Sequence, residues 1–323
     1  MHPGKTLICS LLAALALSGP GIAAAEAYPD RPLTMVVPYT PGGSTDATGR
    51  LVAQYLSEEL GQQVVVENRA GAAGNIGAAY AARAQADGYT MLLAPSGLVA
   101  NVSLYKSLPY DLVKDFDPVA RVALIPNALV VRPGSKADTL AQFMEQVRKA
   151  NPPMTYGSAG NGTGQHLAGA LFANRLGAEM THVPYKGGAP AVTDLMGGRL
   201  DAVFAPLSEV ISFIQAGKLK ALAVTTRERS FALPDAPAVG EMLPGFEITL
   251  WNGILVPQGT PPERIARLSQ AMQKVLARPE VRRGMQQQGA NPATDDPEQL
   301  RQLLGDEVKK WAEIVKISGA EQQ

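Results

Sequence analysis

Apolar residues fall into short runs that stop at glycine, proline or serine. Each run leads into a segment whose apolar positions have helical spacing, the rhythm of strand, loop and helix in a doubly wound sheet. The first run covers 33–38. After the turn Thr40-Pro41-Gly42-Gly43-Ser44-Thr45-Asp46, the positions Leu51, Val52, Tyr55, Leu56 and Leu60 predict a helix over 47–60, closed by Gly61. A strand is predicted at 64–66, an alanine-rich helix at 76–86 and a strand at 91–94 that stops at Pro95-Ser96-Gly97. The rhythm then recurs: helix 139–150, strand 154–158, a turn over Gly160-Asn161-Gly162-Thr163-Gly164, helix 165–176, strand 181–183, helix 190–196 and strand 201–205. Both halves carry a glycine-rich turn between a strand and a helix, and a later strand ending in Ala-Pro (Ala94-Pro95 and Ala205-Pro206). This is no sequence repeat, yet it suggests two units of related topology. The β-prone segments 119–131 and 248–256 are candidates for two strands along which the chain crosses between the units. Helices predicted at 262–276 and 297–316 would then return to the first unit.

The chain opens with Lys5, an apolar run over 7–17, a Ser-Gly-Pro-Gly break and Ala23-Ala24-Ala25, which reads as a Sec signal peptide with cleavage expected after Ala25 or Ala27. The run falls well short of the ~20 residues of a spanning helix. Cys9, the sole cysteine, lies inside it and is badly placed for lipidation, so a free periplasmic protein without disulfides is expected. Loss of Lys5 turns 29 basic and 29 acidic residues into 28 and 29, and no basic patch for nucleic acid stands out. The remaining length, about 300 residues, suits two cores better than one.

A strand that ends in a glycine-rich turn and opens a helix aims unpaired N–H groups outward at the positive end of the helix dipole. Such a place binds anions without a charged side chain. The chain has two, at 40–46 and 158–166, where Ser44, Thr45, Ser158 and Thr163 add hydroxyls and Asn161 an amide. Asp46 would repel an anion there unless it faced an amine or a water. His166, at the start of a predicted helix, is suited to fixing the second turn by a hydrogen bond. Tyr39, Tyr185, Phe204 and Trp251 could wall a pocket, Tyr39 and Phe204 lying nearest the predicted loop tips, although such residues are more often core. Other chemistries fare worse. Gly71-Ala72-Ala73-Gly74 lacks the Gly-x-Gly opening of a dinucleotide site, and neither a phosphate-binding Gly-x-x-x-x-Gly-Lys motif nor a Gly-x-Ser-x-Gly elbow occurs. His166 and His182 are the only histidines beyond the leader, and no cluster of metal ligands is present, so neither a metal nor a cofactor is expected.

Several strings together resemble one family: Tyr28-Pro29-Asp30-Arg31-Pro32; Val37-Pro38-Tyr39-Thr40-Pro41-Gly42-Gly43 with Asp46 and Arg50; Asn68-Arg69-Ala70-Gly71; Asp87-Gly88-Tyr89-Thr90; Tyr156-Gly157-Ser158-Ala159-Gly160-Asn161-Gly162; His182-Val183-Pro184-Tyr185-Lys186-Gly187; and Trp251-Asn252-Gly253. In order, they resemble the substrate-binding receptors of tripartite tricarboxylate transporters, the Bug proteins; Ala70 departs from the usual proline. The resemblance implies an α/β, two-domain type II periplasmic-binding-protein fold with a double-stranded hinge, 26–124 and 253–323 forming one domain and 125–252 the other. It implies that Gly42, Gly43, Ser44, Thr45 and Asp46 on one loop, with Ser158, Asn161, Gly162, Thr163 and His166 on the other, hold one carboxylate of a small organic acid through backbone groups and ordered water. Ser96, Asp201, Phe204 and Ala205 would read the rest of the ligand, beside Tyr39 as the candidate pocket wall. Asp201 in the pocket would favour a ligand bearing an ammonium or hydroxyl group. The implied partners are a large and a small integral membrane subunit; the receptor itself would be a monomer with no nucleic-acid partner. A sensory subunit is the alternative, and an enzyme acting on a carboxylate, with only Asp46, His166 and Asp201 to serve it, is a weaker one.

Overall fold

The computed structural model describes residues 28–293 and 295–318; the expected signal peptide, its cleavage position and Cys9 lie outside the described residues. The first half runs β1 (Leu33–Val37), α1 (Ser44–Leu60), β2 (Val64–Asn68), α2 (Asn75–Ala82), β3 (Thr90–Pro95) and α3 (Gly97–Leu104), with β2-β1-β3 parallel. After β4 (Phe116–Val131) come α4 (Leu140–Lys149), β5 (Met154–Ser158), α5 (Gly164–Leu176), β6 (Met180–Pro184), α6 (Gly188–Met196), β7 (Ala202–Pro206), α7 (Leu207–Gln215) and β8 (Lys220–Val224). The chain ends with β9 (Thr249–Pro257), α8 (Pro262–Ala277), α9 (Pro279–Gln287), β10 (Asn291–Pro292) and α10 (Pro297–Ser318). α3 was not anticipated, because its Leu98-Val99-Ala100 stretch offers no polar face to set a helical period.

The long strands join two sheets. β4 pairs antiparallel with β9 from Phe116↔Pro257 to Pro126↔Thr249. From Asn127 onward the same strand pairs with β7 and β8 instead. The return path is hydrogen-bonded at the same level: Thr225 N–H donates to Asn127 O and Ile248 N–H to Thr225 O, each at 2.9 Å. The strand order is β2-β1-β3-β9-β4-β7-β5-β6, so the parallel strands of both halves flank the two crossing strands.

Strand alternation distributes the core. Leu33, Met35 and Val37 face α1 and α8, whereas Val36 faces a larger core that continues through Leu129, Phe172 and Phe204. A third cluster under α6 and α7 holds Ala191, Leu195, Val203 and Val210. Each fully buried large side chain contributes about 1.5–3 kcal/mol.

The last helix differs from expectation. α10 packs on α3 of the first half and also on α5 of the second. Its apolar stripe, Leu300, Leu304, Trp311 and Ile314, is long enough to cover both. Buried Glu307 fastens it by accepting from the indole N–H of Trp251 (3.2 Å) and of Trp311 (2.6 Å), while Lys310 Nζ donates to its other oxygen at 3.1 Å. Among the described residues, no helix is long and apolar enough to cross a membrane.

Candidate functional site

The loop after β1 turns at Gly42, whose φ of +90° favours glycine, and enters α1 through Gly43, which makes no side-chain cap. The first-turn N–H groups of Ser44, Thr45 and Asp46 have no intrahelical acceptor and meet no other acceptor among the described residues. The Asp46 side chain is not free to join its N–H in this cradle. Its Oδ2 accepts from Gly42 N–H (2.9 Å) and Arg50 Nε (3.0 Å), and its Oδ1 from Asn68 Nδ2 (2.9 Å). Burial opposes its ionisation, but these donors outweigh burial and hold the carboxyl below its usual range. The Asp46 carboxylate therefore ties the loop to α1 and β2, and its backbone N–H is what remains to meet a ligand.

The loop after β5 is built differently. Ser158 Oγ accepts from Gly160 N–H (3.1 Å) and shares a 2.6 Å hydrogen bond with His182 Nε2. Thr163 caps α5 by accepting from His166 N–H (3.4 Å), and its own hydroxyl donates to Gly160 O (2.7 Å). His166 Nδ1 accepts from Gly162 N–H at 3.1 Å, the loop-fixing bond expected of it. The rings of His166 and His182 stack at 3.9 Å. Burial lowers the pKa of both to about 4, with the neighbouring ring adding to the effect at His182. Both are therefore neutral at pH 7, which His166 must be to accept at Nδ1. Asn161 is exposed at the tip, and its side chain meets no partner among the described residues.

The two loops reach the same face of β9. Thr45 Oγ1 donates to Asn252 Oδ1 at 3.5 Å, and a Cβ on Gly164 would lie 2.5 Å from Leu250 Cδ2. Leu250 and Asn252 are two residues apart on one strand, about 7 Å. Gly162 abuts α3, where a Cβ would lie 2.5 Å from Leu104 Cδ1. Ser96, at the end of β3, closes the floor: its N–H donates to Trp251 O (2.9 Å), and its Oγ accepts from Trp251 N–H (3.3 Å). The Tyr39 ring stands against Gly74 and Gly97 beside this floor; burial raises its hydroxyl pKa to about 12, and the hydroxyl has no protein partner among the described residues.

Three expected pocket residues lie elsewhere. Asp201 precedes β7, at the opposite end of the sheet from the loops, and accepts from Thr155 N–H (2.7 Å) and Thr155 Oγ1 (2.9 Å) at the start of β5. In parallel strands only the carboxyl ends reach the cleft, so Asp201 cannot select a ligand there. Phe204 is 0% exposed and packs edge-on against Tyr156 (centroids 6.2 Å apart), inside the large core. Ala205 faces the opposite core, under α6 and α7, one position short of the strand's carboxyl end. Conversely, Asn127 and Asn252, which are 0% and 1% exposed, carry amide atoms with no hydrogen-bond partner among the described residues, as do Ser208 Oγ and Glu209 Oε2. Asn127 could have been found as the one strongly polar residue near the middle of the apolar run 119–131.

A mixed sheet whose parallel halves flank two crossing strands, with glycine-rich loops from both halves meeting over one of them, is the architecture of the periplasmic solute receptors. Within that class the chain belongs to the tripartite tricarboxylate transporter family receptors, whose model matches residues 48–320. It is similar to the periplasmic binding protein BugD, at 37% identity and a TM-score of 0.80, covering 92% of this chain and 100% of that one. It is similar to Rpa4515 of R. palustris solved with adipate (35%, TM-score 0.82, 90% and 98% covered). It is also similar to MatC of Rhodopseudomonas palustris with bound malate (31%, TM-score 0.76, 89% and 100% covered). The family is one of solute-binding receptors and not of enzymes.

Proposed function

We propose that this protein is an extracytoplasmic receptor that holds a small organic carboxylate between the 40–46 and 158–166 loops and delivers it to the membrane subunits of a tripartite tricarboxylate transporter. The observation that carries this reading is the row of N–H groups at Ser44, Thr45 and Asp46, over the same face of β9 that the second loop reaches. Carboxylate oxygens would accept there, directly or through water, where the dipole of α1 favours negative charge. The relatives solved with adipate and malate support the ligand class. Residues 26–124 with 253–323 act as one lobe and 125–252 as the other, hinged where β4 exchanges β9 for β7 and β8 at Asn127. A ligand that touches both lobes favours the closed form, which the membrane subunits then recognise. The periplasm is the site of action, reached through the leader at 1–25, and the working form is a monomer.

A thermal-shift screen of the mature chain against mono-, di- and tricarboxylates, amino acids and aromatic acids tests this. Ligand at 100 times Kd adds about 2.7 kcal/mol of stability. Stabilisation by a carboxylate that is recovered chemically unchanged supports the receptor. Turnover of that compound, or no carboxylate bound by protein freed of co-purified ligand, overturns it.

A further inference from the structure

Glu209 is a carboxylate the fold does not use. It sits in the first turn of α7, where an acidic side chain ordinarily complements the helix dipole from solvent. Here its Oε2 is sealed from solvent and meets no hydrogen-bond partner among the described residues. The side chain reaches across the carboxyl edge of the second sheet to the start of α6: a Cβ on Gly188 would lie 1.9 Å from Glu209 Oε2 and 3.2 Å from Gln165 Nε2. Gln165 belongs to the candidate binding loop, since its Oε1 accepts from Ala159 N–H at 3.2 Å. On the other side, Asn127 pairs with Pro206, the residue from which α7 starts, and neither of its amide atoms is hydrogen-bonded among the described residues. Glu209 thus stands where α5, α6 and α7 all begin, beside the loop at 158–166.

Building on the proposed receptor function, we propose that Glu209 reads a hydrogen-bond donor, a hydroxyl or ammonium group, on the carbon chain of the bound carboxylate. A carboxylate oxygen sealed from water with no donor among the described residues is costly, and a ligand that supplies the donor removes that cost. An unsubstituted acid of the same length leaves the cost in place and gains no such contribution, so it binds more weakly than the substituted acid. Burial alone raises the pKa of Glu209 to about 7, in keeping with a carboxyl that lacks a cation or donor from the protein. The selective carboxylate is therefore at the start of α7, not at Asp201.

The test is calorimetric titration of the full mature protein with three matched series: propionate, lactate and alanine; succinate, malate and aspartate; glutarate, 2-hydroxyglutarate and glutamate. The wild type is expected to prefer a substituted member over its unsubstituted parent by about ten- to hundredfold. Glu209→Leu removes the acceptor and should abolish that preference, leaving the parent acid within about threefold of its wild-type affinity. Glu209→Gln separates the two donors, because a neutral amide oxygen still accepts from a hydroxyl but loses most of its hold on an ammonium. If an unsubstituted acid proves the best ligand in the wider screen, or both variants keep the wild-type selectivity, the role of Glu209 is overturned while the receptor function stands. If the wild type binds no carboxylate, the receptor function falls as well.

Discussion

Replacing Asp46 with alanine separates a residue that builds the cradle from one that touches the ligand. The substitution deletes acceptors for Gly42 N–H, Arg50 and Asn68, at 2.9–3.0 Å. Arg50 is about half exposed, so its ion pair is screened and contributes little. The Gly42 and Asn68 bonds are charge-assisted and sheltered, and their loss together with the dipole interaction costs about 2–3 kcal/mol. The carboxyl is held below its unfolded pKa, so the unfolded chain binds the proton more readily. Its stabilisation is full above the unfolded value and is lost as pH falls through the folded one. Urea titrations at pH 7 and near pH 3 should therefore show a clear loss at neutral pH that shrinks on acidification. Ligand affinity should fall by about the same factor for every carboxylate, because the loop is loosened and no ligand contact is removed. A variant of wild-type stability whose ligand preferences have changed would refute this reasoning and return Asp46 to the ligand.

Asp201→Asn should leave affinity and selectivity unchanged by calorimetry, since among the described residues Asp201 bonds only Thr155, at the far end of the sheet; altered selectivity would put it back in the cleft. The stacked histidines should make acid destabilising. Their folded pKa values, about 4, lie below the unfolded value, so the unfolded chain takes up protons as pH drops from about 6.5 to about 4, and stability declines across that window. A His166→Ala variant should show a shallower decline in urea midpoint; an unchanged slope would remove His166 as a contributor. Glu307→Leu strands the indole N–H groups of both tryptophans, Trp251 and Trp311, and should cost about 2–4 kcal/mol with a change in tryptophan fluorescence; wild-type stability would show that Glu307 does not fasten α10.

The alternation of strands and helices, the two glycine-rich turns and the pair of crossing strands were legible because each depends on local periodicity or turn chemistry. What the sequence could not convey was direction. Residues 201–205 were readable as a strand, but only its carboxyl end reaches the cleft, so Asp201 at the start falls outside and Phe204 points into the core. The task of the Asp46 side chain was not legible because its three donors come from positions 4 to 22 residues away, Asn68 at the end of β2, which only the fold brings together. Glu209 was hidden for the same reason, since an unpartnered side chain is recognisable only once its neighbours are known; Asn127 alone left a trace, as a polar residue in an apolar run.

The proposed receptor closes both loops on one carboxylate, the first through its free N–H groups. Hydrogen exchange read by mass spectrometry, with peptides covering 40–47 and 158–166 and with a saturating carboxylate from the screen, tests it most directly. Exchange should slow in both segments together, while the 201 end of β7 stays unchanged. Protection confined to one loop, or appearing only outside both, would contradict it.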